Sequence, residues 1–192
     1  YRELWNLVFI EYNRNAKGKL DQLESKHVDT GLGLERIVST LNNIDDHYKT
    51  DLFKPIIDKV ISLSNNDYTF NKGVPHRVIA DHIRMVSFSL SDGIMPSNEG
   101  RGYVLRRILR RAIRHIYNLG IKEASFYKLV PILIEEMGEH YNELNIYKEL
   151  VSNTIKVEEE KFLETIEKGL KILEEEELKN EKSKIFSGKV AF

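Results

Sequence analysis

The chain has 192 residues, of which 41% are apolar and 31% are charged, and its formal net charge is −1. This near balance excludes a uniformly basic, histone-like protein and an acidic disordered chain. The absence of cysteine excludes a disulfide scaffold, a thiol nucleophile and a zinc site with cysteine ligands in this chain. No apolar run approaches the ~18 residues of a membrane span, so the composition predicts a sizeable packed core and no membrane partner.

The signals of β-structure lie at the start of the chain. Residues 4–12 are rich in β-branched and aromatic side chains and are apolar on both alternating faces, which predicts a central strand covered on both sides. The residues that follow predict, in order, a turn at 13–18, short strands at 20–23 and 26–29, a glycine turn at 31–33 and a helix at 34–41.

From about residue 50 onward, apolar residues recur at helical spacing. Helices are predicted from about 50 to 61, around 78–86, up to about 117, in two segments within 125–148 with a boundary at Pro131, and at about 148–180. The last helix carries an apolar stripe from Val151 to Leu173. The sequence therefore predicts an α+β, predominantly α-helical fold, with one domain at residues 1–45 and a helical domain at 46–192.

The segment at 27–36 has the composition of a ligand-binding turn. A strand, a glycine turn and a helix can bring backbone amides close to a phosphate. Asp29 can hold the ammonium group of a ligand, and Arg36, one turn into the helix, can bind phosphate through its planar guanidinium. The third glycine of the dinucleotide-binding fingerprint is missing. The alternative is an ordinary turn in which Asp29 caps the helix and Arg36 pairs with an acid.

Residues 101–115 contain six arginines and no acidic residue. At about 100° per residue, the apolar side chains from Val104 to Ile113 fall in one half of a helical wheel. The other half carries Arg106, Arg107, Arg110, Arg111 and Arg114. Five like charges on one face repel one another, so we expect an anionic partner, and nucleic-acid phosphate matches the arginine fork. For each arginine, pairing with the glutamate-rich last helix stays open as the alternative.

Two histidines, His76 and His82, lie six residues apart, and His82 follows Asp81. Metal ligands on a helix must share one face, whereas a spacing of six places the two rings on nearly opposite faces. We therefore expect hydrogen-bonded helix histidines and no metal site. The glutamate run at 174–177 is expected to be a solvated helix face.

Four segments, in this order and with this spacing, resemble alanyl-tRNA synthetases: WNLVF at 5–9, VDTGLGLER at 28–36, RVIADHIR at 77–84 and RGYVLRRI at 101–108. The resemblance spans the whole chain and implies a class II aminoacyl-tRNA synthetase. Such an enzyme activates alanine with ATP, bound as its Mg2+ complex, and passes the alanyl group to tRNA(Ala). The implied fold is the C-terminal edge of a class II antiparallel-sheet catalytic domain, including motif 3, followed by a helical domain that recognises the tRNA acceptor stem.

The resemblance also implies roles for residues near the start of the chain. Arg36 matches the motif 3 arginine that contacts ATP, which makes it the implied catalytic residue, and Gly33 belongs to the same ATP-binding segment. The alanine site is implied at four positions: Asp29, Gly31, Val8 and Asn6. Asp29 would hold the α-ammonium group of alanine, and the other three would line or flank the small pocket.

For tRNA, Asn98 matches the asparagine that recognises the G·U wobble pair of the acceptor stem. A side-chain amide offers both a donor and an acceptor, and we expect its oxygen to accept from the unpaired guanine amino group in the shallow minor groove. The alternative is that Asn98 only caps the arginine helix. The wider tRNA-binding surface is expected at Arg101, Arg106, Arg107, Arg110, Arg111 and Arg114.

The resemblance also has implications for metal ions, partners and cellular location. Zinc is expected only in an editing domain outside this chain. Motifs 1 and 2 would precede Tyr1, so we expect a central fragment that is inactive alone and whose partners are tRNA(Ala), alanine, ATP and the remainder of its own polypeptide. A cytoplasmic location is expected, with an organelle as the alternative. Two other functions stay open: a stand-alone helical RNA-binding module without catalysis, and an ATP-binding protein that uses the glycine turn alone.

Overall fold

The computed structural model describes residues 2–179 and 188, and the chain divides between Lys54 and Pro55 into two units. The prediction of an α+β, predominantly helical fold is confirmed, because one two-stranded antiparallel sheet is followed by a series of helices. The predicted domains at 1–45 and 46–192 stay a prediction, since packing alone does not assign either unit to a catalytic or a tRNA-recognition domain. No helix in the described ranges is long and apolar enough to cross a membrane.

The first unit contains a β-hairpin, in which β1 (Trp5–Arg14) pairs antiparallel with β2 (Leu20–Leu32). The turn between them is held by the Asn15 side chain, whose Oδ1 accepts the backbone N–H groups of Lys17 and Lys19 at 3.0 and 3.1 Å. Gly18 completes the turn with φ +81°, a conformation that favours glycine.

The two short strands predicted at 20–23 and 26–29 are wrong, because β2 runs through both without a break. A register shift between the pairs Ile10–His27 and Tyr12–Gln22 absorbs the intervening residues as a bulge. The glycine turn predicted at 31–33 is also wrong. Residues 31 and 32 belong to β2, and Gly33 has an extended backbone, φ −78° and ψ 109°, directly before the next helix.

Both faces of the hairpin are exposed. Trp5 and Phe9, large apolar residues on one face, are 62% and 69% exposed, and Val8 on the other face is 46% exposed. The prediction that β1 is covered on both faces is therefore wrong for this hairpin. The reason is that the sheet has two strands among the described residues, and a two-stranded ribbon without a packed layer cannot bury either of its faces.

The remaining elements are helical, and their positions follow the apolar spacing of the sequence. In chain order they are α1 (Leu34–Leu41), a 3-10 helix (His47–Lys49), α2 (Lys54–Ser64), α3 (Val74–Ser91), α4 (Gly100–Asn118), a second 3-10 helix (Phe126–Leu129), α5 (Val130–Met137), α6 (Asn142–Ile146) and α7 (Lys148–Lys179). Pro131 lies in the first turn of α5, as a boundary proline should. The predicted end of the last helix at residue 180 lies outside the described residues.

The core of the second unit forms where α3 packs along α4 and where both helices contact α7. Its fully buried large side chains include Ile79, Ile83, Leu90, Leu105, Leu109, Ile113, Phe126, Leu129 and Leu133. Burial of one such side chain contributes roughly 1.5–3 kcal/mol relative to exposure. The stripe predicted on α7 is buried at Val151 and Ile155 but exposed at Leu170 and Leu173, so only the first half of α7 packs on this core.

A buried acid completes the packing of α7. Glu159 has no exposed surface, and its Oε1 accepts the backbone N–H groups of Ser125 and Phe126, both at 2.9 Å. These N–H groups open the 3-10 helix Phe126–Leu129 and have no partner within it. Burial raises the pKa of Glu159, and the bonds from these N–H groups oppose that effect.

We expect the stability contributed by Glu159 to depend on pH. Because burial raises its folded-state pKa above the ordinary value of 4.5, the folded state binds this proton more tightly than the unfolded state does. The contribution is therefore largest below pH 4.5 and declines as the pH rises through the raised pKa. Urea unfolding from about pH 4 to 7 should show the stability of the wild type falling relative to Glu159→Gln over this window.

Glu160→Gln is the matched control, because Glu160 is the next residue of α7 and its side chain is 53% exposed. The stability of this variant relative to the wild type should stay constant over the same window, because both proteins keep Glu159. A wild type whose stability stayed level or rose relative to that of Glu159→Gln as the pH increased would contradict the prediction.

Candidate functional site

The residues predicted to bind alanine share one face of the hairpin. Asn6 pairs with Gly31, and Val8 pairs with Asp29. Residues directly opposite in an antiparallel pair point to the same face, and residues two apart on one strand do so as well. The strand register therefore brings Asn6, Val8, Asp29 and Gly31 together on an exposed surface.

The Asn6 amide links the two strands on this face. Its Oδ1 accepts the backbone N–H of Gly31 at 3.1 Å, and its Nδ2 donates to the carboxylate of Glu3 at 3.1 Å. A Cβ atom at position 31 would lie 2.9 Å from that Oδ1, so the glycine leaves the space that the amide occupies. Glycine is therefore needed at position 31 because the Asn6 amide packs closely against the strand backbone there, and not because the chain turns.

Asp29 presents a carboxylate on the same face. Its Oδ1 accepts the backbone N–H of Thr30 at 2.7 Å, which fixes the orientation of the side chain. It does not cap α1, because the N-cap is Gly33 and no side-chain cap bond is made there. An exposed, oriented carboxylate next to a small apolar side chain can pair with the ammonium group of a small ligand.

Arg36 lies in the first turn of α1, and its side chain folds back toward the start of the chain. Its Nη1 donates to the backbone carbonyl of Glu3 at 2.8 Å, so its partner is a main-chain oxygen and not the acid of the alternative interpretation. A Cβ atom at Gly33 would lie 3.1 Å from Cδ of Arg36. The structure thus brings Gly33 and Arg36 together beside the beginning of β1.

The arginine helix predicted from the sequence is α4, and its polar face is a charged groove. Its lining consists of Val104, Arg107, Ile108, Arg110, Arg111, Arg114 and Phe162, around a volume of about 450 Å³. The guanidinium of Arg110 lies 5.0 Å from the ring centroid of Phe162, and that of Arg107 lies 5.8 Å from the ring of Tyr103. These rings hold the cations without neutralising them, so the groove can attract a polyanion.

Arg106 differs from the other arginines of α4. It forms an ion pair with Glu158 of α7, with Nη2 and Oε1 3.1 Å apart. Internal pairing with the last helix, which was the alternative for every arginine, is therefore correct for Arg106. Arg101, Arg107, Arg111 and Arg114 are exposed.

Asn98 lies in the loop that leads into α4. The N-cap of α4 is Glu99, so the interpretation of Asn98 as the helix cap is wrong. Its Oδ1 instead accepts a hydrogen bond from Nη1 of Arg106, and the residue as a whole is exposed. The chain enters α4 at Gly100, the first residue of the helix, whose φ of +56° lies in the left-handed region that favours glycine.

Two titratable residues beside α4, Asp81 and His115, have shifted pKa values. The hydrogen bond from Nδ1 of His82, 2.9 Å from the carboxylate, lowers the pKa of Asp81, and Arg84 and Arg111 add to the effect. Burial lowers the pKa of His115, and Arg114 and Arg111 lower it further. His115 is therefore expected to be neutral at pH 7, and the charge of the groove comes from its arginines.

The other predicted histidine, His76, is also hydrogen-bonded, with Nε2 3.0 Å from the carbonyl oxygen of Asn66. Both histidines thus have the bonded helix environment predicted for them. Among residues 2–179 and 188, no group of three or more histidines or acids has the arrangement of a metal site.

Sequence analysis missed two residues that shape this surface, Glu158 and Phe162. By its spacing Phe162 belongs to the apolar stripe that the sequence predicts for α7, where its ring would only pack in the core. The spacing held a signal for Glu158, because it lies three residues after Ile155 and four before Phe162. An acid at a stripe position of an amphipathic helix predicts a buried ion pair.

Comparison with known proteins places this geometry in context. The family model described as tRNA synthetases class II (A) matches residues 1–192. An alanine–tRNA ligase of Buchnera aphidicola subsp. Baizongia pistaciae is 50% identical over 190 residues, which are 99% of this chain and 21% of that protein. An alanine–tRNA ligase of Campylobacter jejuni strain RM1221 is 50% identical over 192 residues, 100% of this chain and 23% of that protein.

A third relative, the alanine–tRNA ligase of Francisella philomiragia subsp. philomiragia, is 49% identical over 192 residues. These residues are 100% of this chain and 22% of that protein. The chain thus spans about a fifth of the length of the curated relatives it matches.

The contact between Asn6 and Gly31 can be tested with a double-mutant cycle. Gly31→Ala should displace the Asn6 amide and weaken strand pairing by about 1 kcal/mol, the net value of one hydrogen bond. In an Asn6→Ala background the added methyl group has room, so the same substitution should cost less than half as much. Amide hydrogen exchange in β1 and β2 measures both costs, and equal costs in the two backgrounds would contradict this account.

Proposed function

Because the chain belongs to the family of class II (A) tRNA synthetases, we propose that it is part of an alanine–tRNA ligase. In that reaction a carboxylate oxygen of alanine attacks the α-phosphate of ATP, and pyrophosphate leaves. A ribose hydroxyl at the 3′ end of tRNA then attacks the carbonyl carbon of the alanyl-adenylate, and AMP leaves. The observation that carries the proposal is the strand register that brings Asn6, Val8, Asp29 and Gly31 to one face.

The chemistry of this face suits alanine. The carboxylate of Asp29 would pair with the α-ammonium group, a charge-assisted interaction. Val8 offers an apolar contact for the methyl group, and Gly31, which has no side chain, limits crowding beside it. The Asn6 amide, held between Gly31 and Glu3, would fix the wall of this pocket.

Arg36 would act on ATP, which binds as its Mg2+ complex. The guanidinium carries five N–H donors in a planar fork and stays charged at every working pH. In the structure it is directed to a backbone carbonyl, a neutral acceptor that a phosphate oxygen can replace. Arg36 would then stabilise the charge that builds up on the α-phosphate as pyrophosphate leaves.

The exposed hairpin would join the remainder of the polypeptide. Two strands with apolar residues exposed on both faces form a stable sheet only with further strands or a packed layer. We assign this hairpin to the edge of the antiparallel catalytic sheet, and the second unit to recognition of the acceptor stem. The charged groove of α4 would contact tRNA phosphates, and Asn98 would contact the G·U pair.

Two substitutions in the intact enzyme should separate the roles of the substrate residues. Arg36→Ala removes a charge-assisted hydrogen bond of ~1.5–3 kcal/mol, so alanine-dependent ATP–pyrophosphate exchange should fall at least about tenfold while tRNA affinity is unchanged. Asp29→Asn removes the counter-charge of the ammonium group and should raise the KM for alanine more than the KM for ATP.

Arg14→Ala is the matched control, because Arg14 lies at the turn end of the same hairpin, and it should leave exchange unchanged. Equal losses of exchange and of tRNA affinity in Arg36→Ala would make Arg36 a structural residue. Normal tRNA binding by a full-length wild type that catalyses no exchange would favour the stand-alone RNA-binding module instead.

The groove of α4 predicts a dependence on salt concentration. Arg107→Gln combined with Arg111→Gln should weaken the binding of any tRNA, because phosphate contacts carry no sequence information. The slope of log affinity against log salt concentration should decrease by roughly one unit for each lost contact. Binding titrations at several salt concentrations measure the slope, and an unchanged slope would show that these arginines do not touch phosphate.

A further inference from the structure

The charge of Arg106 is largely removed from solvent. Its side chain is 19% exposed, and that of Glu158 is 11% exposed. Nε of Arg106 donates to Oε2 of Glu158 and Nη2 donates to Oε1, both at 3.1 Å. Two parallel bonds of this kind fix the plane of the guanidinium as well as its position.

The same guanidinium reaches the loop ahead of α4. Nη1 donates to Oδ1 of Asn98, and Nη2 also approaches the carbonyl oxygen of Pro96 at 3.3 Å. A guanidinium has donors and no acceptor, so the amide of Asn98 must turn its oxygen toward Arg106. The NH2 group of Asn98 then points away from Arg106, on a residue that is exposed.

The loop itself is packed onto the first turn of α4. A Cβ atom at Gly102 would collide with the carbonyl oxygen of Met95 and with Oγ of Ser97. Ser97 also donates to the carbonyl oxygen of Glu99 at 2.8 Å, which closes the loop on itself. The backbone that carries Asn98 is therefore held close to α4, and the contact from Arg106 sets the direction of its side chain.

We propose that Arg106 and Glu158 are positioning residues that hold the Asn98 amide with its oxygen inward and its NH2 group outward. Glu158 fixes the guanidinium, and the guanidinium fixes the amide, which then donates to an acceptor in the minor groove, guanine N3 or pyrimidine O2. Both G·U and G·C carry these acceptors, but wobble pairing shifts the two bases relative to a Watson–Crick pair. An amide held in one direction therefore distinguishes the two pairs by the position of the acceptor. The inference rests on the proposed RNA contact of Asn98 and deepens it. It also corrects the sequence-based expectation that the amide oxygen is the atom offered to the base.

This role separates Arg106 from the arginines of the groove. Its charge is paired with Glu158 and largely buried, so Arg106 adds little to the attraction of phosphate. Lysine could not replace it, because one ammonium nitrogen cannot hold Glu158 by a fork and reach Asn98 as well. Arg106→Lys therefore keeps the charge and removes the bridge.

The test compares binding of RNA acceptor stems that carry G·U or G·C at the pair assigned to Asn98, using the intact protein that contains this chain. In Arg106→Lys, the preference for G·U should fall about tenfold, within the range for one lost base contact. Affinity for the G·C stem and the salt slope should stay the same. Glu158→Gln should lose the preference too, whereas Glu160→Gln should keep it.

The combination with Asn98→Ala distinguishes positioning from general damage to the fold. If Arg106 acts through Asn98, Arg106→Lys should have no further effect on the G·U preference in an Asn98→Ala background. A further loss in that background, an equal loss on both stems in Arg106→Lys alone, or a lower salt slope would overturn the inference.

A second measurement needs no RNA. NMR order parameters of the Asn98 side-chain NH2 group report how mobile the amide is. The amide should be ordered in the wild type and in Glu160→Gln, and mobile in Arg106→Lys and Glu158→Gln. Unchanged mobility would overturn the inference. A wild type with no preference for G·U would refute the proposed RNA contact of Asn98 and with it this role, whereas a preference that survives Arg106→Lys would refute the positioning role alone.

Discussion

Glu158 and Glu159 are consecutive residues of α7, and their side chains leave the helix about 100° apart. Glu158 reaches Arg106 on α4, and Glu159 reaches the backbone N–H groups that open the 3-10 helix Phe126–Leu129. Both carboxylates are largely withdrawn from water, so each needs donors to offset the loss of hydration. Since those donors belong to two different elements, the two acids fix the placement of α7 with a directionality that apolar packing lacks.

The first half of α7 also reduces the electrostatic repulsion between the arginines of α4. Arginines crowded on one helix face repel one another, and α7 relieves part of this repulsion in two ways. Glu158 neutralises one guanidinium, and Phe162 supplies a ring for Arg110. The remaining guanidinium groups stay exposed. A single neighbouring helix thus divides the arginines into an internal one that organises the loop and external ones that present charge.

The helices could be predicted well from the sequence, because apolar spacing of 3.6 residues is a local signal that packing reinforces. The two-faced character of α4 and the start of α7 at Lys148 follow from that signal alone. The strands were harder. Polar residues at 24 and 25 resemble a break, yet the strand continues through the register shift between the pairs Ile10–His27 and Tyr12–Gln22. Gly31 resembles a turn residue, yet its role comes from the Asn6 amide on the other strand.

The candidate site shows the same division between local and distant information. Residue types at 29, 31 and 36 suggested ligand chemistry, but only the pairing of β1 with β2 reveals that Asp29 and Val8 are neighbours. The pairing of Arg106 with Glu158 joins residues 52 positions apart. Nothing in the local pattern around Arg106 distinguishes it from Arg107 or Arg110. The orientation of the Asn98 amide depends on that pair and could not be deduced without it.

The second half of α7 has a mechanical consequence. Beyond Leu163 the helix has no buried residue up to Glu177, and at 1.5 Å per residue the stretch from 164 to 179 is about 24 Å long. A rod of that length acts as a lever whose base is clamped by Glu158 and Glu159. Tilting the base by about 10° would move the far end by about 4 Å, by the geometry of a helix of this length. A small tilt of α7 at Glu158 and Glu159 thus displaces the far end of the helix by nearly the rise of three helical residues.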